Sequence, residues 1–160
     1  MNMKKTLIGL LLVLFAMLAS CAGYVPGRQA YWDAQVREMC ERDGHVQIFE
    51  KVSIQKKELD EMLRAGDGFI SLKMKELSGI EDAVYMESKE KNIRDANPRV
   101  RRTEWLVVRQ TDKKVVATWN SYGRIGGDMP TGLVHDSSFR CPDWKQTWIE
   151  LRELFLVKEN

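Results

Sequence analysis

Apolar and polar positions alternate along this chain with two periods, and the elements follow from them. Between Ala30 and Asp43, Trp32, Val36, Met39 and Cys40 recur at helical spacing, with Asp33, Arg37, Glu38, Glu41 and Arg42 left for the opposite face. Gly44 is placed to cap that helix. In "HVQIFEKVSI" the period changes to two, putting Val46, Ile48, Val52 and Ile54 on one face of a strand. "QKKELDEMLRAG" reads as a short helix carrying Leu59, Met62 and Leu63 and stopped by Gly66. "FISLKMKE" and "AVYMESKEK" are weaker strand patterns, and "NIRDANPRV" reads as a turn punctuated by Pro98.

The clearest unit is a hairpin. "RRTEWLVVRQ" and "KVVATWNSY" flank the polar turn Thr111-Asp112-Lys113, with Trp105 and Val107 on one side of the first strand and Val115, Ala117 and Trp119 on one side of the second. Toward the C-terminus, Pro142 is placed to open a helix at its first position. Trp144, Trp148, Leu151 and Phe155 then continue at helical spacing, although the final "LFLVK" also suits a last strand. The expected class is α+β: a mainly antiparallel sheet of four to five strands, with helices from both termini packed on it.

The N-terminus obeys a different rule. Lys4 and Lys5 precede an apolar run from Leu7 to Ala19. That is shorter than the roughly 20 residues of a membrane-spanning helix and matches a secretory signal. The run ends in "LASC", Leu18 to Cys21, which resembles the lipobox of bacterial lipoproteins. The resemblance implies cleavage before Cys21 and acylation of that cysteine. It divides the chain into a signal peptide over 1–20, a lipidated tether over 21–28 and a single periplasmic α+β domain over 29–160. Ala22 rather than Asp follows Cys21, which by the same resemblance favours the outer membrane, facing the periplasm.

Charge matters only after this division. The whole chain carries 25 basic and 23 acidic residues. The leader accounts for two of the lysines and no acid, so the remainder is formally neutral and has no basic stripe for nucleic acid. With Cys21 taken by lipid, Cys40 and Cys141 remain, and an oxidising compartment reads such a pair as a disulfide. Two free buried thiols are the alternative. Metal chemistry finds little here: the histidines are His45 and His135, with no CxxC or HExxH spacing, so no cofactor is expected.

Candidate chemistry gathers in "SYGRIGGDMPTGLVHDSSFRCPDW", Ser121 to Trp144. Tyr122, Arg124, Gly126, Gly127, Asp128 and His135 form the candidate binding set, with Met129 beside them. Tyr and Arg are common contact anchors, and glycine-rich backbone beside Arg124 suits an anion such as a carboxylate. A purely structural role competes: Gly123, Gly126 and Gly127 permit positive φ, Asp128 forms an Asx-turn, Pro130 stiffens the exit, Ser137 and Ser138 bond nearby backbone, Arg124 pairs with an acid, and Cys141 ties down the end. A cell-wall hydrolase working through the Asp128–Ser138 loop is the enzymatic alternative, by a Ser-His-Asp set or by Asp128 with Asp136. No GxSxG elbow supports the first, and neighbouring residues in an extended chain point apart.

"REMCERDGHVQIFEKV" and "YGRIGGDMP…HDSSFRCP" resemble an uncharacterised family of small proteobacterial lipoproteins, with an early C-x-x-D-G element, a YGRxGGD stretch and a closing SSxxCP. The second glycine of the early element is His45 here. The resemblance implies the fold and the address and carries no reaction. The expected function is a non-enzymatic, membrane-anchored envelope module. It meets the bilayer through Cys21, and an envelope protein or peptidoglycan through the glycine-rich stretch.

Overall fold

The computed structural model describes residues 8–11, 13–14, 27–64, 72–128 and 136–158. Cys21, the tether before Gly27, Gly66, Met129, Pro130 and His135 lie outside them. The elements in chain order are α1 (Arg28–Asp43), β1 (Gln47–Ile48), β2 (Val52–Gln55), α2 (Lys56–Arg64), β3 (Val84–Arg94), β4 (Arg99–Arg109), β5 (Val115–Ile125), β6 (Ser138–Cys141), α3 (Trp144–Leu151) and β7 (Phe155–Lys158). Single 3-10 turns cover Lys75–Leu77 and Arg152–Leu154. Among the described residues no helix is long and apolar enough to cross a membrane.

The main sheet is antiparallel and five-stranded, in the order β1-β5-β4-β3. β6 shares the outer edge of β5 with β1, each at its own end: β1 pairs at Ala117 and Thr118, β6 at Tyr122–Ile125. The α+β class, the antiparallel sheet and the terminal helices are as the sequence led us to expect. A second, two-stranded sheet joins β2 and β7 in parallel.

Period-two alternation gives the main sheet two different faces. Trp105 lies opposite Trp119, and Val107 opposite Ala117. These side chains point into the larger core, with Val52, Ile54, Met86, Leu151, Leu154 and Phe155 buried around them. Val100 and Tyr122 point the other way, into a smaller core under α1 that holds Val36 and Cys40, with Trp32, Met39, Phe139 and Cys141 at its margin. The helical spacing of Trp32, Val36, Met39 and Cys40 makes that stripe. Burial of one such apolar side chain contributes about 1.5–3 kcal/mol.

Five local expectations are corrected. The strand foreseen through "HVQIFEKVSI" is two strands in different sheets. Its alternating residues do face one core, but the chain turns at Phe49 and Glu50, whose amides both reach the Val116 carbonyl (2.8 and 3.3 Å). The "LFLVK" end resolves as strand β7, so Phe155 buries from a strand and not from α3. Pro142 precedes the cap of α3; Asp143 is the N-cap, its carboxylate accepting from the Lys145 amide at 3.1 Å. The described part of "FISLKMKE" contributes one bridge, Met74 to Met86, and then a 3-10 turn. The 95–98 turn is also tighter than expected, because β3 continues to Arg94.

Candidate functional site

β5 runs to Ile125, so Tyr122, Gly123 and Arg124 sit on a strand rather than in a loop. Alternation then decides where each points. Tyr122 and Arg124 face α1; Ser121 and Gly123 face the other side. The Tyr122 hydroxyl donates to the Asp43 carboxylate (2.9 and 3.0 Å) at the end of α1. Burial first, and then the Asp43 carboxylate, raise its phenol above the usual value. Arg124 is 1% exposed. Its Nε donates to Asp33, and its Nη1 donates to the Gly126 carbonyl, the Ser137 carbonyl (3.2 Å) and the Ser137 hydroxyl (3.0 Å).

The glycines make this convergence possible. Gly126 and Gly127 have φ of +84° and +89°, which leads the chain off the strand end and aims the Gly126 carbonyl back at Arg124. Gly123 has no positive φ. The Gly126 amide donates to the Ser137 carbonyl (2.9 Å) and the Gly127 amide to the Asn97 side chain (2.7 Å). Asp128 accepts from the Ser137 amide (2.6 Å), and Ser137 holds its carboxyl below the usual carboxylate range. The Ser137 hydroxyl also accepts from Gln29 of α1 (3.1 Å). Strand alternation turns the Tyr122 and Arg124 side chains inward, onto acids of α1, and both residues also border the cleft described below. Asp128 bridges forward to Ser137, a longer reach than an Asx-turn.

The far end of this assembly is tied to α1 a second time. Cys40 and Cys141 stand at disulfide distance, with Cα atoms 6.0 Å apart across 101 positions. As for hydrolysis, the Ser137 hydroxyl is engaged by Arg124 and Gln29, Asp136 is exposed, and the described histidine, His45, meets Glu150 (3.5 Å). Among the described residues no three metal-ligating groups cluster.

The opposite face of the same strand ends carries a cleft of about 250 Å³. Arg101, Gly123 and Arg140 are successive partners across β4, β5 and β6. Glu90, Thr103 and Ser121 form the next row across β3, β4 and β5. All six line the cleft. Arg101 donates to Glu90 (2.9 Å), and both remain well exposed, 36% and 55%. Trp105 donates from Nε1 to the Ser121 hydroxyl (2.9 Å), which leaves the Ser121 proton as a donor of its own. Beyond Ser121 the apolar core begins as a run of indoles: Trp105 stacks on Trp119 at 5.8 Å and meets Trp144 edge-on at 5.4 Å. The Arg140 guanidinium lies 6.0 Å over the Trp144 ring.

Gly123 leaves this cleft open. A Cβ built there would meet only the Phe139 carbonyl oxygen, at an ordinary 3.7 Å, and would project into the free space. The sequence reading passed over Arg101, Thr103 and Arg140. Their signal was nonetheless present: stepping back by two from Trp105 gives Thr103 and Arg101, and stepping on by two from Trp119 gives Ser121 and Gly123. In comparison with known proteins, the chain matches no protein-family model, no curated protein and no solved structure.

Proposed function

We propose that this chain is a lipid-anchored envelope protein that works without catalysis, as a structural or interaction module at the periplasmic face of the outer membrane. One observation carries the reading: Lys4 and Lys5, the apolar run and Leu18-Ala19-Ser20-Cys21 stand in the order of a lipoprotein signal. Acylation of Cys21 by two or more chains holds a protein stably on a bilayer, where a single chain does not.

Three features support it. The disulfide-distance pair Cys40 and Cys141 suits an oxidising compartment. The "YGRIGGD" and "SSFRCP" stretches resemble the small proteobacterial lipoproteins named above. The cleft at Gly123 gives the domain a fixed polar surface, and a tether keeps such a surface at high effective concentration near its neighbours. The partners are the bilayer, through Cys21, and an envelope protein or peptidoglycan. Metabolic labelling with palmitate tests the anchor: the wild type should incorporate label and Cys21→Ser should not. Equal labelling of both overturns the reading.

A further inference from the structure

The geometry points to the Arg101–Gly123–Arg140 cleft as a binding site for the free terminal carboxylate of a peptide. This deepens the proposed interaction role and rests on it. Two guanidiniums flank a residue without a side chain, on one row of one sheet face. Arginine presents a planar fork that matches a carboxylate, and neighbouring hydroxyls from Thr103, Ser121 and Ser138 complete a set of donors.

Charge selects among anions. Arg124, which also borders the cleft, is neutralised by Asp33. Among the described residues that line the cleft, Arg101 and Arg140 then stand against Glu90, a balance of one net positive charge. That balance suits a singly charged carboxylate and disfavours a doubly charged phosphate. Size selects the form. At about 250 Å³ the cleft is smaller than the roughly 300–1,000 Å³ of sites that enclose a whole ligand. It admits an end group, with the rest of the peptide lying outside it. Arg140 is exposed, with its guanidinium over Trp144 at the rim of the cleft, where its fork can meet an incoming carboxylate.

The test uses the full chain in mild detergent, titrated with acetyl-trialanine and followed by amide chemical shifts at Gly123 and its neighbours. The free acid should bind about tenfold or more tighter than its C-terminal amide, the difference expected of one charge-assisted contact. Inorganic phosphate should bind more weakly than the acid. Arg140→Ala and Gly123→Val should each weaken binding of the acid about tenfold with no change in melting temperature. Glu90→Gln, which releases Arg101 and removes the acid, should tighten it, a gain that loss of structure cannot imitate. Equal binding of acid and amide, tighter binding of phosphate, or no response of binding to Arg140→Ala overturns the proposal. None of these results bears on palmitate labelling, so the site and the anchor fail separately.

Discussion

Arg124 and Asp33, 91 positions apart, form an ion pair in which the guanidinium is 1% exposed and the carboxylate side chain 21%. It fastens the end of β5 to α1. The same guanidinium holds two carbonyls of the turn that follows, so one side chain organises strand end, turn and helix together. Truncating one partner of such a pair leaves the other charge uncompensated. Arg124→Ala should therefore cost about 3–5 kcal/mol in chemical denaturation. Arg124→Lys should recover only part of it, because an ammonium cannot replace the guanidinium fork. A loss below about 1 kcal/mol for Arg124→Ala would place the pair with surface ion pairs of little consequence.

Much of this was legible in the sequence, and the boundary has a physical cause. Periodicity read most faces correctly: the α1 stripe, Trp105 with Val107, Ala117 with Trp119, and the shared core of Val46, Ile48, Val52 and Ile54. It misplaced Val115, because the register shift beside Val107 puts Val116 in that core instead. It could not read continuity, because alternation is preserved across the Phe49–Glu50 break. Glycine and polar residues after Tyr122 read as loop, although β5 continues through Arg124 to Ile125, since sheet pairing with β4 and β6 overrides local propensity. In the sequence Arg124 suits either a contact anchor or the partner of an acid, and its surroundings in the fold are those of the second. The cleft stayed hidden because it needs β6 in register with β5, a pairing across residues that carry no hairpin signal.

Cys40 lies in α1 and Cys141 in β6, so a bond between them closes a long loop between two elements that also pack together. In the chain-entropy model a loop of that size stabilises by about 4–5 kcal/mol, and removal of native bridges costs about 2–5 kcal/mol. The Cys40→Ala/Cys141→Ala variant should unfold at lower denaturant by that amount. Dithiothreitol should lower the wild type to nearly the same midpoint and leave the double variant unmoved. A wild type that ignores reductant, with both thiols open to maleimide after unfolding, would show that no bond forms.

Glu50 and Asp112 give stability a definite acid limb. Arg109 donates to Asp112 and to Glu50, and Lys114 also reaches Glu50, joining the β1–β2 break to the hairpin turn. Hydrogen bonds from Arg109 and Lys114 lower Glu50 to about 2, and the bond from Arg109 lowers Asp112 to about 2. Both folded values lie below the unfolded ones of about 4.5 and 3.8. Their contribution is thus fully present above about pH 4.5 and is lost as pH falls toward 2. Denaturation midpoints of wild type and Glu50→Gln, measured from pH 6 to pH 2, should converge at the acid end. A constant gap across that range would mean that Glu50 acts through packing alone.

The glycines separate strain from space, and substitution at two of them distinguishes these. At Gly126, φ is +84° and an added Cβ would fall 2.6 Å from the Asn97 side-chain oxygen. That oxygen accepts from the Gly127 amide, so alanine there is strained by its backbone and also displaces a hydrogen bond. Gly126→Ala should cost about 1–3 kcal/mol, the range for a residue held in sparsely populated backbone space. At Gly123 the backbone is that of an ordinary strand and a Cβ meets nothing closer than 3.7 Å. Gly123→Ala should be neutral, or stabilising by a few tenths of a kcal/mol, because alanine loses less backbone freedom on folding. Thermal unfolding of the two single variants decides the matter. If both fall equally, Gly123 serves the fold as Gly126 does. If only Gly126→Ala falls, the fold does not require glycine at 123, and its bare backbone is explained by the cleft that it leaves open.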